Sequence, residues 1–253
     1  MSKWTRDNGI ILTRPLGYND ELLRLLSEEG YRVLERPLLS IKPCKFNKLM
    51  MHKVMRLDSY DALIFVSRNS VNYSLSYLRD FWPQWPTNLI WCAMGKKTAE
   101  DLSHFSVQTK YPEEQGANGL FDIIDWRDIN KVLIVRGKGG LETLRERLRS
   151  RRIEVDYLEV YERVPKHYSM LEQEILETQF ETIILTSGDA LKSLCRSVGP
   201  KVRAKLTALV PTERVAELVR KKGIKRFVVT GGVNNDNILN SLASLNNGLD
   251  YER

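Results

Sequence analysis

Cysteine and histidine are scarce, with three of each in a chain of 253 residues. Cys44, Cys92 and Cys195 are odd in number, widely spaced and free of any CxxC pair. That argues against a disulfide frame or a zinc site, and for a reducing compartment. His52, His104 and His167 are equally scattered, so no metal is expected. Neither GxGxxG nor GxxxxGK[ST] occurs, which speaks against a nucleotide cofactor. No apolar run approaches the ~20 residues of a membrane span, and the opening MSKWTRDNGIILTRP has no apolar core flanked by a cleavage site. A cytoplasmic protein without membrane attachment is expected. The basic run RERLRSRR has no interleaved aromatics and no helix-turn-helix, RNP or zinc-finger pattern accompanies it, so nucleic acid is not an expected partner.

What is present is enough apolar sequence for two domains of ordinary size, 42% of the chain. A formal charge of +7 and a pI near 9.2 favour acidic partners. Short apolar runs alternate with amphipathic stretches. Strands are read at Ile10 to Thr13, Ala62 to Val66, Leu89 to Ala93, Val107 to Lys110, Val132 to Val135, a run ending on Tyr161, Thr182 to Leu185, Thr207 to Val210 and Phe227 to Thr230. Helices fall between them. Gly30 stops the first helix, and the two prolines of YRVLERPLLSIKP make it an edge or crossing segment. The chain also repeats itself: YDALIFVSRNSVNYSL from Tyr60 matches FETIILTSGDALKSLC from Phe180 in an aromatic, an acid, an apolar strand, a serine and a helix start. The expected fold is α/β, with two related domains, each a parallel sheet flanked by helices.

The chemistry is expected around residues 131–165, where KVLIVRGKGG, LETLRERLRSRR and IEVDYLEVYERVP read as strand, turn, helix and strand. A turn at a strand's carboxyl end carrying Arg136, Lys138 and three glycines can hold an anion, and it can equally be a plain tight connection. The same two readings apply to the helix starts at Ser67, Thr98, Ser187 and Thr212, which can cap their helices or offer N–H groups to carboxylates. The usual ligand site of a related α/β pair is the cleft at the carboxyl ends of its sheets. In YLEVYERV, strict alternation puts Tyr157, Glu159 and Tyr161 on one side and Leu158, Val160 and Glu162 on the other.

A series of short motifs resembles the uroporphyrinogen-III synthase family. They are TRP at Thr13 to Pro15, Pro37, IFVSRNSV from Ile64, AMGKKTA from Ala93, VLIVRGKGG with ETL from Val132, VYER from Val160, ILTSGDAL from Ile184, TERVAEL from Thr212 and GGVNNDNIL from Gly231. Departures are Val66 where Thr is usual, Leu141 where Arg often follows RGxGG, and Arg152 where Gly commonly ends the helix. The resemblance implies flavodoxin-like domains: residues 1–36 with 166–253, residues 42–157, and 37–41 with 158–165 as two strands joining them. It implies a cofactor-free lyase that closes hydroxymethylbilane, a linear tetrapyrrole with acetate and propionate groups on each ring, inverting the last ring through a spirocyclic intermediate. A monomer is expected, and direct transfer from the bilane-producing enzyme is compatible with this reading. Under it, Arg14, Arg136 and Lys138 contact substrate carboxylates with Arg68 beside them, Ser67, Thr98, Ser187 and Thr212 line the site, and Tyr161 assists departure of the substrate hydroxyl. A non-catalytic tetrapyrrole or anion sensor on the same scaffold stays open, and turnover separates the two.

Overall fold

The computed structural model describes residues 9–113, 116–140 and 142–246. Its strands are β1 Ile10–Leu12, β2 Val33–Glu35, β3 Leu39–Pro43, β4 Ala62–Phe65, β5 Ile90–Ala93, β6 Thr109–Lys110, β7 Lys131–Gly137, β8 Glu154–Pro165, β9 Thr182–Ile184, β10 Thr207–Val210 and β11 Arg226–Val229. The helices are α1 Asp20–Glu28, α2 Lys48–Met55, α3 Arg68–Asn72, α4 Leu75–Phe81, α5 Lys96–Ser103, α6 Ala117–Ile123, α7 Thr143–Arg149, α8 Leu171–Thr178, α9 Gly188–Ser197, α10 Pro200–Arg203, α11 Glu213–Lys221 and α12 Asn235–Asn246. Two compact units result, one built from described residues up to Ser40 together with those from Val164 onward, the other from Ile41–Arg163.

The first unit holds a sheet in the order β11-β10-β9-β1-β2, with every neighbouring pair parallel. Strands of this kind are buried on both faces, so they read as unbroken apolar runs. On one face Ile11, Ile183, Ala208 and Phe227 pack with α8, α9, α10 and α11. On the other, Ile10, Leu12, Ile184 and Leu209 meet Leu22 and Leu26 of α1 and Ile238, Leu242 and Leu245 of α12. Each Leu, Ile or Phe among them contributes ~1.5–3 kcal/mol by leaving water.

The second unit carries the order β3-β8-β7-β4-β5-β6. Leu63, Phe65, Trp91, Leu133 and Val135 pack with α2 to α5, while Ala62, Ile64, Cys92, Val132 and Ile134 face α6 and α7. The proline-bearing segment supplies β2 and β3, each at the edge of its sheet, where a missing N–H is tolerated. Among the described residues no helix is long and apolar enough to cross a membrane, and no group of His, Cys, Asp and Glu could hold a metal ion.

Some boundaries differ from the expectations. β8 runs on to Pro165 instead of ending on Tyr161. α5 starts at Lys96 with extended Gly95 as its cap, so Thr98 lies inside the first turn and is buried. The short α10, opened by Pro200, adds a second helix between β9 and β10.

Three helix ends share one arrangement. After α1, Gly30 N–H donates to Ser27 O at 3.0 Å and Tyr31 N–H to Leu26 O at 2.9 Å, with Gly30 at φ +81°. Gly223 and Ile224 repeat it after α11, with φ +89° at Gly223. After α7 the same bonds form from Arg152 to Arg149 O and from Ile153 to Leu148 O, but the left-handed position is Arg152 at φ 65°. A left-handed conformation costs a residue with a Cβ ~1–2 kcal/mol, and glycine's greater freedom in the unfolded chain offsets about half of the relief. Arg152→Gly is therefore expected to stabilise the protein by about 0.5–1 kcal/mol. A thermal midpoint raised by ~1–3 °C would show it; an unchanged or lower one would count against the strain argument.

Candidate functional site

The two sheets present one spatial pattern. β2-β1-β9-β10-β11 and β8-β7-β4-β5-β6 match strand for strand, although β7 and β8 follow β4 to β6 in the chain whereas β1 and β2 precede β9 to β11. The central strands β4 and β9 carry the matching segments from Tyr60 and Phe180. In each sheet the order of winding reverses between two neighbours, β1 and β9 in one, β7 and β4 in the other, and ligands of open α/β sheets bind outside the carboxyl ends of such a pair. Arg14 follows β1 and Arg136 is the last residue but one of β7; Ser187 follows β9 and Ser67 follows β4. The two arginines are therefore counterparts.

In the first unit, Arg14 Nη1 donates to Asn235 Oδ1 at 3.0 Å and Tyr18 O at 3.3 Å, and Nη2 donates to Val233 O. Burial lowers its guanidinium pKa from the usual value. Ser187 caps α9, accepting the Ala190 N–H at 3.2 Å. Thr212 occupies the cap position of α11 with its side chain exposed and making no cap hydrogen bond.

In the second unit, a hollow of about 530 Å³ is lined by Arg136, Gly137, Gly140, Tyr157, Tyr161 and Arg163, with Gly116 to Gly119 and Thr143 around it. Arg136 is 4% exposed. Its Nε donates to Gly137 O at 3.2 Å, its Nη1 to Glu142 Oε1 at 3.1 Å, and its guanidinium lies 4.3 Å over the Tyr157 ring. Glu142 also accepts from the Tyr157 hydroxyl at 2.7 Å and from Arg145 Nη1 at 3.4 Å. The Tyr157 hydrogen bond, followed by those of the two arginines, holds the Glu142 carboxyl below its ordinary pKa against the opposing effect of burial.

Tyr161 is 1% exposed, and its hydroxyl lies 3.0 Å from Ser67 Oγ and 3.4 Å from Arg163 Nη2. Ser67 is at the same time the cap of α3, accepting the Ser70 N–H while its own N–H donates to Ser70 Oγ at 3.1 Å. Capping and the contact with Tyr161 coincide in this serine. Strict alternation fails here, and the expected face of Tyr161 is corrected. β7 pairs Arg136 with Glu159 and then Gly137 with Tyr161, a register shift that makes Val160 the extra residue of a bulge. Leu158, Val160 and Tyr161 consequently share one core, and Tyr157 packs against the other.

The remaining candidates lie elsewhere. Lys138 is exposed, pairs with Glu162 at 3.3 Å, which raises its pKa, and lines a different hollow with Cys44, Lys53 and Arg145. Arg68 holds Asp101 in a two-pronged ion pair of 2.8 and 3.0 Å. Thr98 is a buried first-turn residue, and Leu141 falls outside the described residues. Arg163 and Glu142 escaped the sequence reading, Tyr157 entered it only as a strand residue and Gly137 only as one of three turn glycines. For Arg163 a signal existed: it lies two residues beyond Tyr161 in a strand, hence on the same side.

A profile described as Uroporphyrinogen-III synthase HemD matches residues 20–240. The chain belongs to the uroporphyrinogen-III synthase family. Among relatives of this family, the uroporphyrinogen-III synthase of Escherichia coli (strain K12) is 28% identical over 243 residues, 92% of this chain and 99% of that protein. That of Proteus mirabilis is 30% identical over 159 residues, 61% of this chain and 80% of its own. A mutant uroporphyrinogen III synthase from the extremely thermophilic bacterium Thermus thermophilus superposes with a TM-score of 0.61 at 15% identity, over 94% of this chain and 99% of that one. The enzyme from Helicobacter pylori 26695 gives 0.59 at 19% identity, with the same coverage. These two likenesses show that the α/β fold is that of uroporphyrinogen-III synthases.

Proposed function

We propose that the protein cyclises hydroxymethylbilane to uroporphyrinogen III with inversion of the last ring and loss of water, as a cofactor-independent lyase of tetrapyrrole synthesis. It acts in this reading as a cytoplasmic monomer, and direct transfer of the bilane from the enzyme that makes it fits the same picture. The proposed domains are 1–36 with 166–253 and 42–157, joined by 37–41 and 158–165. Division of the chain into compact units after Ser40 and after Arg163 supports those boundaries.

Family membership carries the substrate class. The observation that carries the chemistry is the Tyr161 phenol, set between Ser67 and Arg163 on a hollow that also holds Arg136. Acetate and propionate groups of the bilane meet Arg136 and Arg163, with Arg14, Arg68 and Lys138 as further carboxylate contacts. The N–H groups at the Ser67, Ser187 and Thr212 helix starts, and those beside Thr98, lie at carboxyl ends of strands and suit the same anions. The phenol donates a hydrogen bond to the departing hydroxyl, which leaves as water on gaining a proton. Ring closure releases one proton, so the sum is loss of one water. Folding the chain so that the last ring inverts is work of positioning and electrostatic steering.

A coupled assay with a bilane-producing enzyme tests the proposal. Type III macrocycle is expected without added metal or nucleotide, and type I product at the rate of empty buffer overturns it. Within that assay Arg136→Ala is expected to raise KM about fivefold to tenfold and to lower turnover less, since one carboxylate contact among several is lost. Unchanged kinetics would remove Arg136 from the carboxylate contacts.

A further inference from the structure

The guanidinium of Arg136 and the carboxylate of Glu142 form an unequal pair. The cation is fixed: its side chain is 5% exposed, its face is stacked on Tyr157, and it passes so close to Gly140 that a Cβ there would stand 2.3 Å from Nη2. The anion is movable, because its side chain is 46% exposed. Glu142 also stands at the cap position of α7 without capping it, its side chain turning back to Arg136, Tyr157 and Arg145. Three donors from three elements thus converge on one carboxylate at the edge of the hollow. A carboxylate from outside would meet the same three donors.

We propose that Glu142 is a built-in stand-in for a substrate carboxylate, occupying the Arg136, Tyr157 and Arg145 donors until a polycarboxylate displaces it. This rests on the proposed function and deepens it. A simple monocarboxylate exchanges one negative charge for another and gains nothing. A ligand bearing several carboxylates is held elsewhere in the hollow first, so its next carboxylate competes with Glu142 at high effective concentration. The internal carboxylate therefore sets a threshold that selects polycarboxylates. It also keeps the buried guanidinium compensated while the hollow is empty, where an uncompensated charge would be costly.

The test is Glu142→Gln, which keeps shape and removes charge, read in two ways. In the coupled assay KM should fall about three- to tenfold, with turnover changing by a smaller factor. In a fluorescence titration with uroporphyrin III, the oxidised form of the proposed product with the same acetates and propionates, Kd should fall by the same factor. The gain should vanish when Arg136→Ala is added, which places it on that guanidinium. Glu142→Asp, shorter by one methylene, should fall between wild type and Gln, and serves if the Gln variant folds poorly. Unchanged or weaker binding by both variants would overturn the proposal and make Glu142 a strut for Arg136. Wild type that makes no type III product would defeat the proposed function alone, because the porphyrin titration still decides the exchange.

Discussion

Alanine in place of Gly137 is expected to destabilise the protein by about 1–3 kcal/mol and to abolish most of its turnover. A Cβ built on Gly137 would lie 2.4, 2.6 and 2.9 Å from three atoms of the Tyr161 ring. Neither side can yield easily. Gly137 is in β7, directly paired with Tyr161 beyond the bulge, and Lys138 N–H donates to Tyr161 O at 2.8 Å. The Tyr161 ring is rigid and 1% exposed, with Tyr73 tilted against it at 6.1 Å between centroids. The least costly escape is to swing the ring, and that breaks the contact with Ser67. Urea unfolding and the coupled assay measure the two effects, and Tyr161→Leu, which removes the ring, should recover part of the stability in the double variant. A single Gly137→Ala protein with wild-type midpoint and turnover would show that the bulge is softer than this packing implies.

The parallel α/β class was legible because central strands buried on both faces read as apolar runs, as in the ALIF of β4 and the VLIV of β7. Pro37 and Pro43 marked edge segments for the same kind of local reason, a missing N–H. The shared strand order of the two sheets was not legible. It depends on which strands pair across long stretches of chain, and local pattern carries no trace of β7 standing where β1 stands in the other sheet. Thr98 misled because a threonine before an apolar helical face looks like a cap. Gly95, with no side chain to announce itself, holds that position.

At the site the same division between local and distant causes appears. Arg136 was found from its neighbours in RGKGG, but its engagement by Glu142 needs the turn to fold back, and Ser67 meets Tyr161 across 94 residues of chain. The bulge at Val160 is invisible to a period-two count, which assumes that every residue advances the strand by one face. Gly137 makes the bulge possible by leaving room for the Tyr161 ring, so the two residues are better understood as one unit than as a turn glycine and a strand tyrosine.

Tyr161→Phe should slow turnover about tenfold to a hundredfold, keep the fold, and leave the remaining product type III. The ring stays, so its packing with Tyr73, Leu158 and Val160 is kept. What disappears is one hydroxyl and its contacts with Ser67 Oγ and Arg163 Nη2. Ser67 still accepts the Ser70 N–H, so α3 retains its cap, and the stability change should be about 1 kcal/mol. Arg163 donates toward the phenol oxygen, and with Ser67 Oγ donating to it as well the phenol's own proton is left for an acceptor in the hollow. Donation by a neutral phenol needs no unusual ionisation state, so its loss removes assistance while substrate carboxylates and water supply part of the same proton. The geometry that inverts the last ring does not depend on that proton, which is why product identity should survive the loss of rate. Measuring kcat and the isomer ratio together with the unfolding midpoint separates these effects. Wild-type kcat in the Phe variant would return Tyr161 to the core as a packing residue, whereas a switch to type I product would mean that the hydroxyl positions the bilane and does more than assist departure.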